Sequence, residues 1–243
     1  MNRVATITAR ELASYFTTPL AYVFLVIFLV LNGVCTFYLG GMFERGQAEL
    51  TPFFDFHPWL YLLLVPAVSM NSWAEERRTG TLELLLTLPV SIGQAVIGKF
   101  LAGWIMIAIA LALTVPIWIT VNYLGSPDNG VIVANYLGSW LMAGAYLALG
   151  CCLSAATRSQ VVAFVLTATL GFLLLIVGLP QVLVAFRGMV ASPVIDAIAA
   201  MSYQTHFQSI GRGVLEIRDL AFFTVQIAGW LVATGLMIEL KKT

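Results

Sequence analysis

Charged residues are scarce in this chain of 243 residues. Only 10% of them are Asp, Glu, Lys or Arg, whereas 60% are hydrophobic. A soluble domain carries about 25% charged residues, because its folded surface faces water. The shortage excludes a soluble domain and predicts a surface that faces lipid. The 12 basic and 12 acidic residues balance, which gives no support to a nucleic-acid partner.

Cysteine is also rare. The three cysteines, Cys35, Cys151 and Cys152, lie inside apolar stretches and lack metal-ligand spacing. An odd number gives no disulfide framework, so we interpret them as small buried hydrophobic residues.

The apolar run after Pro19 is too long for the core of a cleavable signal and lacks a small-x-small cleavage site. We therefore expect this run to remain in the mature protein.

Residues that could carry out chemistry inside the apolar runs are missing. His57 and His206 occur singly at the ends of such runs, and we interpret both as interfacial residues. Secondary transporters need charged or titratable groups at mid-depth, so the charge-free runs disfavour that class. A membrane-embedded enzyme or cofactor anchor would need paired histidines or carboxylates in the bilayer. The sequence predicts no catalytic, cofactor-binding or metal site.

Long apolar runs are what the sequence has in abundance. A membrane-spanning helix needs roughly 20 apolar residues, and six runs without Asp, Glu, Lys or Arg reach that length. They predict an all-α integral membrane protein with six transmembrane helices in a single domain over residues 1–243. Residues 187–219 contain glycines and a proline, which predicts short re-entrant or external helices before the last span. The six runs are 12–43, 56–74, 100–127, 129–157, 159–186 and 220–238.

Basic residues predict the orientation. With six spans, eight of the 12 Lys and Arg residues lie on the side of the termini and four on the other side. Positive charge is retained in the cytoplasm, so both termini are predicted to be cytoplasmic, in a bacterial inner membrane. The eight are Arg3, Arg10, Arg77, Arg78, Lys99, Arg158, Lys241 and Lys242.

Two patterns lie near the cytoplasmic surface. Residues 2–16 predict an interfacial helix, in which Thr8 and Glu11 have the spacing of a capping box, although a start near Arg3 fits as well.

Gly93 to Lys99 has the spacing of a phosphate-binding loop, but Phe100 follows where that loop needs Ser or Thr. We reject a nucleotide site and interpret Lys99 as an anchor that extends to the lipid headgroups.

Amides are the polar groups that the spans do contain. Asn32 lies in the first run, Asn71 near the end of the second and Gln226 in the last. Such groups usually form hydrogen bonds between membrane helices. We predict that they lie at helix interfaces, with the lining of a solute pathway as the alternative.

The segment after the second run has the most distinctive sequence. Four consecutive charges are followed by a glycine, which permits a turn, and by a short Leu-rich helix that ends at a proline. We interpret this helix either as a loop that rests on the membrane or as a docking helix for a cytoplasmic partner. The predicted docking residues are Glu75, Glu76, Arg77, Arg78, Gly80, Thr81, Glu83, Leu85 and Pro89.

These residues resemble a known family. The pattern Glu76-x-x-x-Gly80-Thr81-x-Glu83-x-Leu85, followed by Pro89, resembles the first cytoplasmic loop of ABC type-2 permeases, which are the membrane subunits of ABC exporters. Arg10-Glu11-Leu12, with Pro19 after it, resembles their N-terminal elbow helix. The stretch His206-Phe207, Arg212-Gly213-Val214 and Arg218-Asp219 is similar to the gliding-motility ABC permease branch.

The resemblance implies a subunit without its own ATPase site. Such permeases pair with a second copy or a paralogue, and each binds a cytoplasmic ATPase through the coupling helix of the first loop. ATP and Mg²⁺ are then expected in the ATPase, with no cofactor in this chain. The implied function is export of a substrate. The alternative is a mechanical role, in which ATPase motion passes to an extracytoplasmic accessory protein without movement of a solute.

The orientation can be tested by chemical labelling. In a cysteine-free background, single cysteines at Ser126 and Gln47 are expected to react with a membrane-impermeant thiol reagent added to intact cells, because both positions are predicted to be external. A cysteine next to Arg158 is expected to be protected. The opposite labelling pattern would overturn the orientation.

Overall fold

The computed structural model describes residues 3–44, 46, 48–83, 90–186, 195, 197, 199–213 and 215–240. Within these residues the regular secondary structure is helical and includes no strand. Several sequence predictions lie outside the described residues: the docking residues Leu85 and Pro89, the label position Gln47, and most of the predicted re-entrant segment between 187 and 198.

The chain forms a succession of helices. Most of them are apolar, and the short ones lie at the ends of the long ones. They are α1 (Arg3–Thr17), α2 (Pro19–Val34) with a π-helical turn (Cys35–Leu39), α3 (Thr51–Phe54), α4 (His57–Ser69), α5 (Ala74–Thr79), α6 (Ile92–Ala112), α7 (Val115–Leu124), α8 (Asn129–Ala156), α9 (Gln160–Ile176), α10 (Pro180–Phe186), α11 (Tyr203–Gly211) and α12 (Ile217–Leu240).

Five helical stretches are long and apolar enough to cross a membrane. A sixth apolar helix, α9, is shorter, because the predicted run 159–186 breaks after Ile176 and resumes as α10. The structure therefore confirms an all-α integral membrane fold. The five stretches are Ala21–Leu39, Thr51–Thr79, Ile92–Leu124, Asn129–Ala156 and Ile217–Leu240.

Local sequence signals begin several of these helices. Ser91 and Gln94 form a capping box at the start of α6, and Asp128 accepts two backbone N–H groups at the start of α8. Such caps satisfy N–H groups that have no partner inside the helix. The capping box predicted at Thr8 and Glu11 does not form, because α1 begins at Arg3 and the hydroxyl of Thr8 donates instead to carbonyl oxygens.

The helix α8 lies at the centre of the bundle. It packs against α4, α6, α9, α11 and α12. In the most apolar 18 residues of α8, 78% of the residues are buried, whereas the corresponding share is 22% for the stretch that contains α2 and 17% for α12. Glycines in α8 permit close packing. A Cβ atom at Gly144 would lie 2.8 Å from Trp104 Nε1, and one at Gly150 would collide with the hydroxyl of Ser69 in α4.

This close contact generates a stability prediction. Gly150→Ala is expected to destabilise the bundle by about 1–3 kcal/mol, because the added methyl group forces α8 away from α4. Gly229→Ala in α12 is the matched control. The added Cβ atom meets no other atom within 4 Å, and the substitution brings the same gain in helix propensity. Thermal unfolding in detergent measures the difference. Equal midpoints for the two variants would show that the contact is unimportant.

Candidate functional site

A buried ion cluster joins three helices at one end of the bundle. Lys99 lies in the first half of α6, and its side chain is only 6% exposed. Its Nζ lies 3.1 Å from Glu11 Oε2 in α1 and 2.8 Å from Glu76 Oε1 in α5. The ammonium group also lies 5.4 Å from the centre of the Trp73 ring. The interpretation of Lys99 as a headgroup anchor is wrong, because two carboxylates hold it inside the protein.

The electrostatics of this Lys99 cluster are unbalanced. Two carboxylates share one buried ammonium group, and Arg10 adds a contact of 2.9 Å to Glu11 from the exposed side. Burial opposes ionisation of Glu11, but Lys99 and Arg10 outweigh it and lower the pKa of this carboxyl group. The second oxygen of Glu76, Oε2, is buried without a hydrogen-bond partner among the described residues. A buried charge cluster of this kind depends strongly on its geometry.

The other charges after the second span also form contacts within the chain. Glu75 accepts hydrogen bonds from Arg78 and from Gln160 at the start of α9. Arg77 Nη1 donates to the carbonyl of Ala155 at 2.6 Å, where a cation also complements the C-terminus of α8. Three of the four consecutive charges, Glu75, Glu76 and Arg77, therefore tie α5 to α6, α8 and α9, whereas Arg78 pairs with Glu75 inside α5. Their contact with a partner stays a prediction.

A serine of α8 fixes the turn that precedes α5. Ser154 Oγ accepts hydrogen bonds from the backbone N–H groups of Trp73 and Ala74 at 3.1 and 3.0 Å, and it donates to the carbonyl of Met70 at 2.9 Å. The short helix α5 is thereby held against the central helix. Sequence analysis missed Ser154, because a serine inside an apolar run carries no sign of the distant backbone it binds.

The exposed part of the predicted docking segment begins at Arg78, whose side chain is 63% exposed. Gly80 ends α5 with a positive φ of 73°, a conformation that glycine adopts without steric cost. Thr81 and Glu83 follow in helical conformation with exposed side chains, whereas Leu82 is partly buried against the core. The surface available to a partner therefore includes the end of α5 as well as the residues from Gly80 onward.

A second polar network lies inside the bundle. Asn32 in α2, 1% exposed, has its Nδ2 2.9 Å from His57 Nε2 in α4. His57 Nδ1 lies 2.7 Å from Ser139 Oγ in α8, which also bonds to the hydroxyl of Tyr61 at 2.7 Å. The interpretation of His57 as interfacial is wrong, since the ring is fully buried and links three helices.

The other two predicted amides differ from Asn32. Asn71 Oδ1 is buried without a hydrogen-bond partner among the described residues. Gln226 is half-buried in α12. Among the three amides, the structure gives only Asn32 a hydrogen bond from its side chain to another helix in the described part of the chain.

His206 is also buried, at the end of the bundle opposite the Lys99 cluster. Its Nδ1 lies 2.6 Å from Asp219 Oδ1 at the start of α12, and its Nε2 lies 3.0 Å from the carbonyl oxygen of Ala200. The ring also stacks on Phe222 with centres 3.9 Å apart. The interfacial interpretation of His206 is therefore wrong as well, because the ring connects α11 to α12.

The sequence profile of a family described as "ABC-2 family transporter protein" matches residues 62–237. The match covers more than half of the chain and includes the four charges and the Lys99 end of α6. The chain belongs to this family. It is therefore a multi-pass membrane permease subunit of an ABC transporter, and it is non-catalytic because the ATPase is a separate chain. No curated protein matches the chain. The similarity to the gliding-motility branch stays a prediction.

The Lys99 cluster predicts a large stability effect in this ABC-2 permease. Lys99→Met leaves two carboxylates near each other without their shared cation, and breaking a buried pair in this way costs about 3–5 kcal/mol. Arg10→Met is the matched control, because Arg10 is 60% exposed and an exposed pair contributes well under about 1 kcal/mol. Thermal unfolding of both variants measures the difference, and equal losses would contradict the cluster.

The internal network predicts a smaller effect. Asn32→Leu removes the hydrogen bond to His57 and is expected to cost on the order of 1 kcal/mol, as other hydrogen bonds between membrane helices do. Gln226→Leu replaces an amide of α12 that has no such bond among the described residues. An Asn32→Leu midpoint no lower than that of Gln226→Leu would leave the network without a role in stability.

Proposed function

We propose that this permease is the transmembrane subunit of an exporter in a bacterial inner membrane, with both termini in the cytoplasm. It pairs with a second copy or a paralogue and binds a cytoplasmic ATPase, which holds the ATP and Mg²⁺. The observation that carries the proposal is the position of the Lys99 cluster. It lies where the second span leads into the segment from Gly80 onward, the expected contact with the ATPase.

The contacts of α5 supply a route for force. A push on the exposed residues Thr81 and Glu83 acts directly on α5, because only Gly80 lies between them. Glu76 pairs α5 with Lys99 of α6, and Lys99 in turn pairs with Glu11 of α1. Arg77 and Glu75 bond α5 to α8 and α9. A displacement at the docking segment therefore reaches α1, α6, α8 and α9 through the side-chain contacts of α5 and Lys99.

The outer faces of the bundle expose large apolar side chains, as expected of surfaces that contact lipid or a second copy of the chain. Val26 and Val30 in α2 are 60% and 57% exposed, and Val161 in α9 is 70% exposed. Large apolar side chains in this number mark surfaces that lipid or another protein covers. A second copy that covers such a face would place a substrate pathway between the two copies.

The mechanical alternative is supported by the interior network. The polar groups of Asn32, His57 and Ser139 bond to one another inside a single chain, and they hold α2, α4 and α8 together. A rigid unit of this kind can transmit motion to an extracytoplasmic partner. The exporter and the mechanical role share the same coupling to the ATPase.

Coupling is tested by reversing one exposed charge. Glu83→Arg is expected to abolish docking of the ATPase or to uncouple its hydrolysis, because a desolvated interface carboxylate costs about 2–5 kcal/mol when its pairing is lost. Membrane insertion is expected to be normal, since Glu83 is exposed. Copurification of the ATPase and the hydrolysis rate of the complex are the measurements.

Glu239→Arg provides the control. Glu239 is an exposed carboxylate near the end of α12. It lies on the predicted cytoplasmic side but in a different helix from the docking segment, so its reversal is expected to change neither measurement. If Glu83→Arg behaves like Glu239→Arg, the docking surface lies elsewhere.

A further inference from the structure

A groove lined by both apolar and polar residues lies at the end of the bundle opposite the Lys99 cluster. Two adjoining clefts of about 150 and 200 Å³ share the residues Thr51, Phe54 and Asn135. Their walls come from the segment between the first two spans, from the first turns of α8, and from α11. All three connections at this end thus contribute to one groove, which we call the outer groove.

The floor of the outer groove contains two amides that are more than nine-tenths buried. Asn135 is 6% exposed and Gln204 is 8% exposed. Asn135 Nδ2 donates to the carbonyl of Val131 at 2.9 Å, so its amide oxygen is the group left for other contacts. Gln204 Oε1 has no hydrogen-bond partner among the described residues. The Gln204 oxygen is therefore a buried acceptor without a donor, which is unfavourable. The Asn135 oxygen is a further acceptor in a residue that lines the same cleft.

The rim of the groove is acidic at one end. Glu49 and Asp128 line the first cleft, and neither forms an ion pair with any of the described residues. One oxygen of Asp128, Oδ1, accepts the N–H groups of Gly130 and Val131, while its charge still faces the cleft. Arg212 lines the far end of the second cleft. The groove therefore offers two carboxylates in the first cleft and the Asn135 amide where the two clefts meet. The second cleft adds the Gln204 amide, the carboxylate of Asp55 and the cation of Arg212.

We propose that the outer groove binds a cationic nitrogen group, an ammonium or a guanidinium, from the side opposite the ATPase. Such a group supplies several N–H donors at once, which matches the leftover acceptors on the floor and the carboxylates on the rim. Each cleft is smaller than the roughly 300 Å³ at which pockets for whole small ligands begin. The space therefore fits the end of one long side chain or of one linear amine.

This inference rests on the proposed function, because the groove faces outward only if both termini are cytoplasmic. It also adds a mechanical consequence. Since the three outer connections move with different spans, a bound cation would respond to any rearrangement that the ATPase drives. The same chemistry is available from a lysine or arginine of an extracytoplasmic protein and from a free polyamine.

Binding is tested with the whole permease in nanodiscs of neutral phosphatidylcholine. The probes are spermidine and an acetylated, amidated pentapeptide with a central lysine, and titration calorimetry measures their affinity. Glu49→Gln/Asp128→Asn removes both rim charges, while Asn at 128 keeps the helix cap. We expect it to weaken binding by about tenfold or more. The control, Glu216→Gln, alters an acidic residue at this end that does not line the groove and is expected to change the affinity less than about twofold.

A third variant, Gln204→Leu, removes the unpaired acceptor and is expected to weaken binding as well, so the test does not depend on one substitution. Binding of spermidine with this variant pattern supports the proposal with a free amine as the source, and binding of the peptide alone supports it with a protein as the source. Absence of binding by both probes, or equal affinity in all variants, overturns it.

Copurification of the ATPase with the same variants separates this inference from the proposed function. Normal copurification without cation binding rejects the groove alone. Loss of the ATPase from the unaltered protein rejects the proposed function.

Discussion

The buried ammonium group of Lys99 lies between two carboxylates from different helices, and the arrangement of this end of the bundle depends on it. Glu11 belongs to the N-terminal helix and Glu76 to the helix after the second span. Without the cation, both carboxylates would have to move apart or take up protons, because two buried negative charges repel each other strongly. The ion pairs thus hold α1, α5 and α6 in one relative position, and they also make that position sensitive to any displacement of α5.

The rest of the structure explains why such a cluster is placed beside the docking segment. The central helix α8 contacts the turn before α5 through Ser154 and accepts Arg77 at its end. In its first half the same helix joins α2 and α4 through Ser139 and His57. Movement at one end is therefore connected to the opposite end through a helix that is tightly packed along its length. Glycines such as Gly150 keep this packing close.

Much of the fold could be predicted from the sequence, because the cost of burying backbone and charge in lipid fixes which runs become helices. The exception among the runs is 159–186, where an apolar composition did not reveal the break after Ile176. The candidate site was harder to predict. Lys99, His57 and His206 each stood alone in the sequence, and nothing local showed that Glu76, Asn32 or Asp219 would lie within hydrogen-bond distance. Pairings between residues far apart in the chain are set by tertiary packing, which periodicity and composition do not encode.

The central claim is that α1 and α5 move as one body because Lys99 joins them. Spin labels at Ser14→Cys in α1 and Thr79→Cys in α5, both exposed positions, report the separation of the two helices by pulsed dipolar spectroscopy in a cysteine-free permease bound to its ATPase. The account predicts one narrow distance distribution within each permease copy that stays the same with and without ATP, and a broad distribution after Lys99→Met. A distribution that widens or shifts with ATP in the unaltered cluster, or that stays narrow after Lys99→Met, would contradict it.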